Sequence, residues 1–330
     1  MRDHPPSDAV LVLGDSMLDR YLEGSVERIS PEAPVPVLLM GSEWQRAGGA
    51  ANVAINLIDL HCPVTLATLL GQDEAGGRLA ELLIARGVEL QAVRGTQICT
   101  TQKIRVVCRR QQLLRIDIEQ PAPGDSAQAL AELAAELLPR YRWLLLSDYG
   151  KGALSDCRAL IDGARRSGCR VLVDPKGRDF VRYRGAWLLK PNAEEAAQAA
   201  GAWSDEADFE RRMGALRQQL ELEHLLVTRG ELGMVLFSPG RAPLRIAAQA
   251  REVYDVSGAG DTVLAVLARA LAGGRGIEEA ARQANRAAGL VVQKFGTASL
   301  RPEELDGAAA PPSLDPLPPH QESRHDEYRH

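Results

Sequence analysis

Short runs of apolar, strand-forming residues alternate with amphipathic helical patterns over most of this 330-residue chain. Continuous apolar strands of this kind are typical of a parallel sheet that helices cover on both faces. The strand-like runs from about residue 60 onward are VTLATLL, RWLLLSD, RVLVDP, AWLLKPN, HLLVTRG and MVLFS. The helical segments between them include SAQALAELAAELL, SDCRALIDGARRSG and DEADFERRMGALRQQLE. The pattern predicts an α/β fold with a doubly wound, mostly parallel sheet.

Two strand-rich stretches break this alternation, SVERISPEAPVPVLLM (25–40) and ICTTQKIRVVCRRQQLLRIDIEQ (98–120). They predict a small antiparallel sheet, which would close over a site or pair with another subunit because its edges need cover. Ordinary edge strands of the main sheet are the alternative. We expect one domain over residues 1–300, with lid or clasp strands at about 20–40 and 98–120. The Pro-rich polar segment 301–330 has no apolar period and predicts a flexible tail.

The composition excludes several classes of function. With 39 Lys and Arg against 44 Asp and Glu, the net charge of −5 offers no general attraction to nucleic acid or to an anionic membrane. The apolar stretch before Gly14 is too short for a signal-peptide core, and no apolar run approaches the length of a membrane span, so we expect a cytoplasmic protein. The five cysteines form no CxxC pair, and three of the six histidines lie in the tail. Carboxylates and lysines are therefore the expected chemical groups.

The segment DVSGAGDT (255–262) leads directly into the amphipathic run VLAVLARALAG. Gly258 and Gly260 lack a Cβ, so their backbone N–H groups can approach an anion, and the helix N-terminus adds its dipole. Asp261 stands in the first helical turn, within reach of an anion bound there. A carboxylate beside an anion cradle indicates phosphoryl transfer, and a tight turn with an N-cap is the alternative. Neither the P-loop pattern nor GxGxxG occurs at this point.

Polar residues also follow the predicted strands at the edge where an open α/β sheet binds its ligands. Helix caps and turns are the alternative for such residues when each is taken singly. The candidates are Asp15, Asp19, Asp148, Lys151, Lys176, Lys190, Asn192, Glu195, Thr228 and Gly230.

A second glycine element, AGGAAN, precedes the helical pattern ANVAINLIDL. Gly48 and Gly49 allow backbone N–H groups to face a ligand, and Asn52 can donate to a hydroxyl or accept from one. Together with Asp15 and Asp19, they indicate a pocket for a polyhydroxyl compound. The alternative is a helix start packed tightly on the sheet.

These elements together resemble the ribokinase/PfkB family of carbohydrate kinases. The two signatures of that family stand here as AGGAANVAINL (47–57) and DVSGAGD (255–261), in the family's order. The NxxE element appears as Asn192-Ala193-Glu194-Glu195, and the resemblance extends from about Val10 to Leu300. It implies a ribokinase-like fold with a β clasp, ATP-dependent phosphorylation of a carbohydrate, and a homodimer paired through the clasp.

Within the family, four segments are similar to the kinases of D-glycero-D-manno-heptose 7-phosphate in lipopolysaccharide inner-core synthesis: GDSMLDRYLEGSVERISPEAPVPVL, LSDYGKG, DPKG and LLKPN. That similarity implies phosphorylation of the anomeric 1-hydroxyl to the 1,7-bisphosphate, on the route to ADP-heptose. Many such proteins carry a nucleotidyltransferase domain with an HxGH-type motif, which this sequence lacks, so the stand-alone kinase is expected. A kinase for another sugar or sugar phosphate is the first alternative. A non-catalytic nucleotide or sugar sensor is the second, although such a protein gains little from Asp261.

The resemblance also implies roles for individual residues. Asp261 would accept the proton of the sugar hydroxyl. The backbone N–H groups of Ala259, Gly260 and Asp261 would hold the charge of the transferring phosphoryl group. The other residues of this turn are Ser257 and Gly258. The residues implied around ATP are Thr228, Gly230, Gly233 and Asn285. Lys190 and Lys176 would neutralise phosphate charge. Asn192 and Glu195 suit Mg²⁺ reached through water. Some members bind a monovalent cation such as K⁺, for which the loops at Asp255 and Gly296-Thr297 would be placed.

A substrate that already carries a 7-phosphate needs a second anion site. The basic candidates are Lys103, Arg105, Arg109, Lys151 and Lys176. Lys103 and Arg105 alternate with Ile104 and Val106, so on a strand the two cations share one face. Any half-exposed strand shows the same pattern, and a solvated turn is the alternative for Arg109.

Overall fold

The computed structural model describes residues 8–109, 111–249, 256–294, 296 and 298–306. Its strands are β1 (Val10–Gly14), β2 (Ser16–Ile29), β3 (Pro36–Gly49), β4 (Val64–Gly71), β5 (Glu89–Gly95), β6 (Thr101–Cys108), β7 (Gln111–Ile118), β8 (Trp143–Ser147), β9 (Arg170–Asp174), β10 (Leu188–Leu189), β11 (His224–Thr228), β12 (Met234–Phe237) and β13 (Leu244–Ile246). Its α-helices are α1 (Ala50–Asp59), α2 (Glu74–Ala85), α3 (Gly124–Leu137), α4 (Cys157–Arg166), α5 (Ala193–Ala200), α6 (Glu206–Gln219), α7 (Ala259–Ala272), α8 (Ile277–Val291) and α9 (Pro302–Asp306). Short 3₁₀ helices span Leu138–Arg140, Phe180–Tyr183 and Gly230–Leu232.

The large sheet has nine strands among the described residues, in the order β13-β12-β11-β10-β9-β8-β1-β4-β5. Neighbouring strands from β11 through β5 pair in parallel, whereas β12 and β13 add an antiparallel edge. The predicted doubly wound, mostly parallel sheet is therefore confirmed. Helices occupy both faces, and the parallel strands all end at the same edge.

Strand β1 shows why the apolar runs are continuous. Val10 and Val12 belong to a core that includes α1, α7 and α8, whereas Leu11 and Leu13 belong to a core that includes α3, α4 and α6. Because successive strand residues point to opposite faces, a strand covered by helices on both sides must be apolar at every position.

The second sheet has the order β3-β2-β6-β7 and is called the lid sheet below. Its hairpins β2–β3 and β6–β7 are antiparallel, as predicted, but the central pair β2–β6 is parallel. A parallel pair joins segments that are distant in the sequence, so hairpin patterns give no sign of it. The lid sheet and its hairpin ends expose the large apolar side chains Ile29, Leu39, Met40, Leu113, Leu114, Ile116 and Ile118.

The predicted tail differs from the structure at its first residues. Pro302–Asp306 form α9, in which Leu305 is buried and Glu304 lies 2.8 Å from Lys294 Nζ. Residues 307–330 lie outside the described part of the chain. None of the helices that the structure describes is long and apolar enough to cross a membrane.

Candidate active site

Helix α7 begins at the edge of the large sheet where the parallel strands end, as the glycine pattern predicts. Its N-cap residue, Gly258, has a left-handed backbone with φ of 75°, and no described side chain caps the helix. A Cβ built on Gly260 would lie 3.6 Å from Lys190 Nζ. The same Cβ would lie 3.8 Å from Asp174 Oδ2, so an ammonium group and a carboxylate both lie beside the start of the helix. A helix N-terminus without a side-chain cap suits an anion.

Asp261 lies in the first turn of α7 and is only 2% exposed. Asn52 Nδ2 donates a hydrogen bond to its Oδ2 at 2.7 Å, and the Tyr149 hydroxyl donates to its Oδ1 at 2.7 Å. Burial raises the pKa of Asp261 from 3.8 to about 7, against the lowering effect of these two hydrogen bonds. A carboxylate that titrates near neutrality is suited to general-base catalysis.

The amide of Asn52 is oriented by a buried chain of hydrogen bonds. Thr262 Oγ1 donates to Asn56 Oδ1 at 3.1 Å, and Asn56 Nδ2 donates to Asn52 Oδ1 at 3.2 Å. Because the Asn52 oxygen accepts from Asn56, its NH₂ group faces Asp261. The sequence prediction included Asn52 as a sugar ligand but missed Asn56 and Thr262.

The turn before α7 is only partly free to bind an anion. Ala259 N–H, a predicted donor to phosphate, donates instead to Val256 O at 3.2 Å, and Ser257 is half-buried before Gly258. Gly260 is exposed at the entrance. The predicted anion cradle thus rests on Gly258 and Gly260 more than on Ala259.

Lys190 follows β10 and forms an ion pair with Asp174 at the end of β9, with Nζ and Oδ1 2.9 Å apart. The lysine is 3% exposed. Burial raises the pKa of Asp174, although Lys190 opposes the shift. The structure thus places the predicted cation beside the helix N-terminus, and it adds a carboxylate partner there.

Gly48 and Gly49 lie where the lid sheet meets α1, in very close contact with their neighbours. A Cβ on Gly48 would lie 2.6 Å from Asp19 Oδ2, and one on Gly49, whose φ is 61°, would lie 2.3 Å from Asp15 O. Tight packing, the alternative to direct ligand contact, is therefore what the structure shows for both glycines. Contact with the sugar stays a prediction for them.

Two predicted sugar ligands hold the loop of residues 148–153 in place. Asp15 accepts hydrogen bonds from the backbone N–H groups of Tyr149, Lys151 and Ala153, at 2.9 to 3.0 Å. Asp148 accepts from Gly150 N–H at 2.8 Å and from the Tyr183 hydroxyl at 2.7 Å. A role in sugar binding for Asp15 and Asp148 stays a prediction, because these contacts anchor the loop.

The predicted second anion site is divided among separate ion pairs. Four of its basic candidates face carboxylates: Lys103 faces Asp117 at 3.2 Å, Arg105 faces Asp19 at 2.6 Å, Lys151 faces Glu119 at 2.6 Å and Lys176 faces Glu195 at 3.3 Å. Lys103 and Arg105 do share a strand face, since they lie opposite Asp19 and Tyr21 in the register. Arg109 is exposed in the β6–β7 turn with φ of 50°, which agrees with the alternative that it belongs to a solvated turn.

Asn192 and Glu195 form a capping box at the start of α5. Asn192 Oδ1 accepts from Glu195 N–H at 2.8 Å, and Glu195 Oε2 accepts from Asn192 N–H at 3.0 Å. In the described chain, no group of three or more His, Cys, Asp or Glu side chains could hold a metal ion. Mg²⁺ commonly keeps several waters and binds phosphate oxygens, so one or two oxygen donors at this edge fit it.

The residues predicted around ATP lie near the antiparallel edge of the large sheet. Thr228 N–H donates to Pro191 O at 3.0 Å, and Asn285 Nδ2 donates to Ala247 O at 2.8 Å. Gly230 and Gly233 both have a positive φ, and a Cβ on Gly233 would lie 2.0 Å from Ile246 O. Of the residues predicted for K⁺, Asp255 and Thr297 lie outside the described residues, whereas Gly296 is buried against Arg46.

A polar cleft of about 310 Å³ lies among the loops that follow β4, β5 and β7. Its lining residues are Gln72, Asp73, Thr96, Gln97, Ile98, Cys99 and Gln120. A smaller cavity shares Ile98, Cys99 and Gln120 with it and reaches Asp15, Ser16 and Lys151. Asp261 lines neither cavity, so the two cavities border the candidate site at Asp15 and Lys151 and not at the Asp261 carboxylate.

A buried carboxylate next to a helix N-terminus is an arrangement that suits transfer of a phosphoryl group to a hydroxyl. The sequence model of the pfkB family of carbohydrate kinases matches residues 7–304. The chain belongs to that family, and it is therefore an ATP-dependent carbohydrate kinase.

Curated relatives are about 50% identical to this chain over the region in which they align. The bifunctional protein HldE of Ectopseudomonas mendocina is 50% identical over 296 residues, which cover 90% of this chain and 62% of that protein. The bifunctional protein HldE of Azotobacter vinelandii is 51% identical over 296 residues, with the same coverage of both chains. The chain thus spans less than two thirds of the length of these relatives.

Solved structures confirm the ribokinase-like fold. Phosphofructokinase-2 from Escherichia coli in complex with potassium superposes with a TM-score of 0.77 at 19% identity, covering 90% of this chain and 96% of that one. Arabidopsis thaliana ribokinase complexed with ribose and ATP gives a TM-score of 0.71 at 23% identity, covering 91% and 97%.

Proposed function

We propose that this kinase transfers the γ-phosphoryl group of ATP to the anomeric 1-hydroxyl of D-glycero-D-manno-heptose 7-phosphate, giving the 1,7-bisphosphate. The observation that carries the catalytic part is the buried Asp261 carboxylate, whose two oxygens are held by Asn52 and Tyr149 at the start of α7. Asp261 takes the proton of the 1-hydroxyl as the oxygen bonds to the γ-phosphorus and ADP leaves. Lys190 and the backbone at Gly258 and Gly260 offset the negative charge on the phosphoryl group.

The heptose part of the proposal is supported by the sequence segments that resemble heptose 7-phosphate kinases, and by relatives named bifunctional protein HldE at about half identity. The polar cleft of about 310 Å³, which shares Ile98, Cys99 and Gln120 with the smaller cavity at Asp15, would take the far end of the acceptor. Such a reaction would serve ADP-heptose and lipopolysaccharide synthesis in the cytoplasm. Only the kinase activity is proposed for this chain.

The same proposal includes the partners of the reaction. Mg²⁺ would reach Asn192 and Glu195 through water, and K⁺ would bind near Gly296, since a structural neighbour is in complex with potassium. A homodimer would cover the apolar side chains that the lid sheet exposes, among them Leu39 and Leu114.

One observation favours a second candidate, a ribokinase-like kinase for another sugar. No lysine or arginine lines the 310 Å³ cleft in the described structure, and the basic candidates around it are already paired with carboxylates. A neutral sugar would need none of these pairs to open.

A coupled ADP-release assay with Mg-ATP separates the two candidates. The heptose 7-phosphate should support turnover and the unphosphorylated heptose should not; equal rates with both would remove the second anion site from the proposal. Asp261→Asn should retain ATP binding and lower kcat by about 10²-fold or more. Near-normal turnover of that variant would refute Asp261 as the base.

A further inference from the structure

Tyr149 is fixed at three points around the proposed base, although nothing in the sequence pattern singled it out. Its backbone N–H donates to Asp15 Oδ2 at 2.9 Å. Its ring lies against Gly49, where an added Cβ would come within 3.4 Å of Tyr149 Cδ2. Its hydroxyl donates to Asp261 Oδ1 at 2.7 Å. Backbone, ring and hydroxyl thus leave the side chain little freedom.

The hydroxyl of Tyr149 and the amide of Asn52 donate hydrogen bonds to different oxygens of the Asp261 carboxylate. Asn52 donates to Oδ2 and Tyr149 donates to Oδ1, so rotation of the carboxylate would break both hydrogen bonds. A carboxylate can accept about four hydrogen bonds, and two therefore remain for the hydroxyl of an acceptor.

We propose that Tyr149 is a positioning residue for the phosphoryl transfer: it holds the Asp261 carboxylate in one orientation and favours its ionised form. This inference rests on the proposed role of Asp261 as the base. Tyr149 itself moves no proton in the reaction, and it acts through Asp261.

The charged groups around Asp261 act in opposite directions. Burial raises its pKa to about 7, the hydrogen bonds from Asn52 and Tyr149 lower it, Asp174 raises it and Lys190 lowers it. Burial and the negative charges of Asp261, Asp174 and Asp19 hold the pKa of Tyr149 well above its ordinary value. Tyr149 therefore stays protonated at neutral pH and remains a donor to the carboxylate.

Tyr149→Phe removes the hydroxyl and leaves the ring in contact with Gly49. Loss of a hydrogen bond to the ionised carboxylate raises the pKa of Asp261, so the acid limb of kcat/KM should move to higher pH by about 1 to 2 units. At pH 7, kcat should fall while KM for the sugar phosphate changes by less than about twofold. The assay uses heptose 7-phosphate and Mg-ATP, whose own ionisations are identical for every variant.

Tyr183→Phe is the matched control, because Tyr183 also donates from a buried phenol to a carboxylate, in its case Asp148. The acid limb of kcat/KM for Tyr183→Phe should have the same midpoint pH as that of the wild type. An unmoved midpoint in Tyr149→Phe, or an equal shift in both variants, would overturn the proposal.

A second replacement keeps the shape of the side chain and excludes an effect of misfolding. Site-specific 3,5-difluorotyrosine at position 149 is a more acidic donor, and it should move the acid limb to lower pH than in the wild type. Movement in the same direction as Tyr149→Phe would count against the proposal. If Asp261→Asn turns over normally, the base assignment and this inference both fail; if it is inactive while the Tyr149 variants show wild-type profiles, only this inference fails.

Discussion

The burial of Asp261 has a cost in stability that Asp261→Asn should remove. The pKa of this carboxyl is 3.8 in an exposed setting and about 7 in the folded chain. The folded state thus binds the proton more tightly, and the free energy of unfolding decreases as pH rises from 3.8 to 7, by about 1.4 kcal/mol per unit. Above pH 7 the penalty is complete at about 4 kcal/mol.

The replacement amide has the same shape as the carboxylate and can satisfy both neighbours. Its oxygen would accept from Asn52, and its NH₂ group would donate to the Tyr149 hydroxyl, which accepts as readily as it donates. The variant should therefore be more stable than the wild type at pH 8 and lose that advantage on acidification.

Thermal unfolding of both proteins without ligands between pH 5 and pH 8 tests this expectation. The stability difference between variant and wild type should grow by about 3 kcal/mol over this range, roughly 5 °C in Tm. Effects of the substitution on the free energy of unfolding that do not depend on pH cancel when the values at pH 5 and pH 8 are compared.

Asp73→Asn is the control for that experiment. Burial raises the pKa of Asp73, but hydrogen bonds from the backbone N–H groups of Thr100 and Gly76 lower it, and the result is a pKa below the ordinary value. Its titration is complete below pH 5, so the effect of its replacement should not vary between pH 5 and pH 8. If the stability difference between Asp261→Asn and the wild type also does not change with pH, Asp261 titrates like an exposed carboxyl. The reasoning about its burial would then be wrong.

Three further substitutions test the elements around the site. Gly258→Ala places a Cβ on a residue with φ of 75° and should cost about 1 kcal/mol, seen as a lower Tm, together with a higher KM for ATP. Asn192→Ala removes the N-cap of α5 and should lower stability by about 1 kcal/mol in denaturant unfolding; an unchanged midpoint would contradict its capping role. Lys190→Met leaves Asp174 without its ion-pair partner and should cost about 3 kcal/mol at pH 8, with less loss at pH 4, where Asp174 takes up a proton.

The sequence predicted the edge of the sheet where the candidate site lies, because parallel strands end together and the residues after each strand are polar. It also located Asp261, Asn52 and Lys190, whose positions in the chain follow from the glycine segments and the strand ends. Tyr149 lay in a predicted strand-end segment, but its contact with Asp261 joins residues 112 positions apart. Periodicity and spacing do not report such contacts.

The basic residues also show that contacts between distant segments cannot be predicted from the sequence pattern. Lys103, Lys151 and Lys176 lie in the lid sheet or after the strand ends, and each faces a carboxylate from another segment. Charge can be read from the sequence, whereas its neutralisation depends on which strands become neighbours. The parallel pairing of β2 with β6, which the hairpin patterns did not predict, is what sets Arg105 against Asp19.

Stability and catalysis make opposite demands on the surroundings of Asp261. Deeper burial would strengthen the base by raising its pKa further, but it would also increase the free-energy cost of the ionised folded state. The hydrogen bonds from Asn52 and Tyr149 limit both effects, since they favour the ionised form and keep the pKa near 7. A carboxylate buried to the same depth without these donors would stay protonated at neutral pH and could not accept the proton of a sugar hydroxyl. The two donors are therefore as necessary to the proposed chemistry as the burial itself, and Tyr149→Phe and Asp261→Asn test the two sides of that balance.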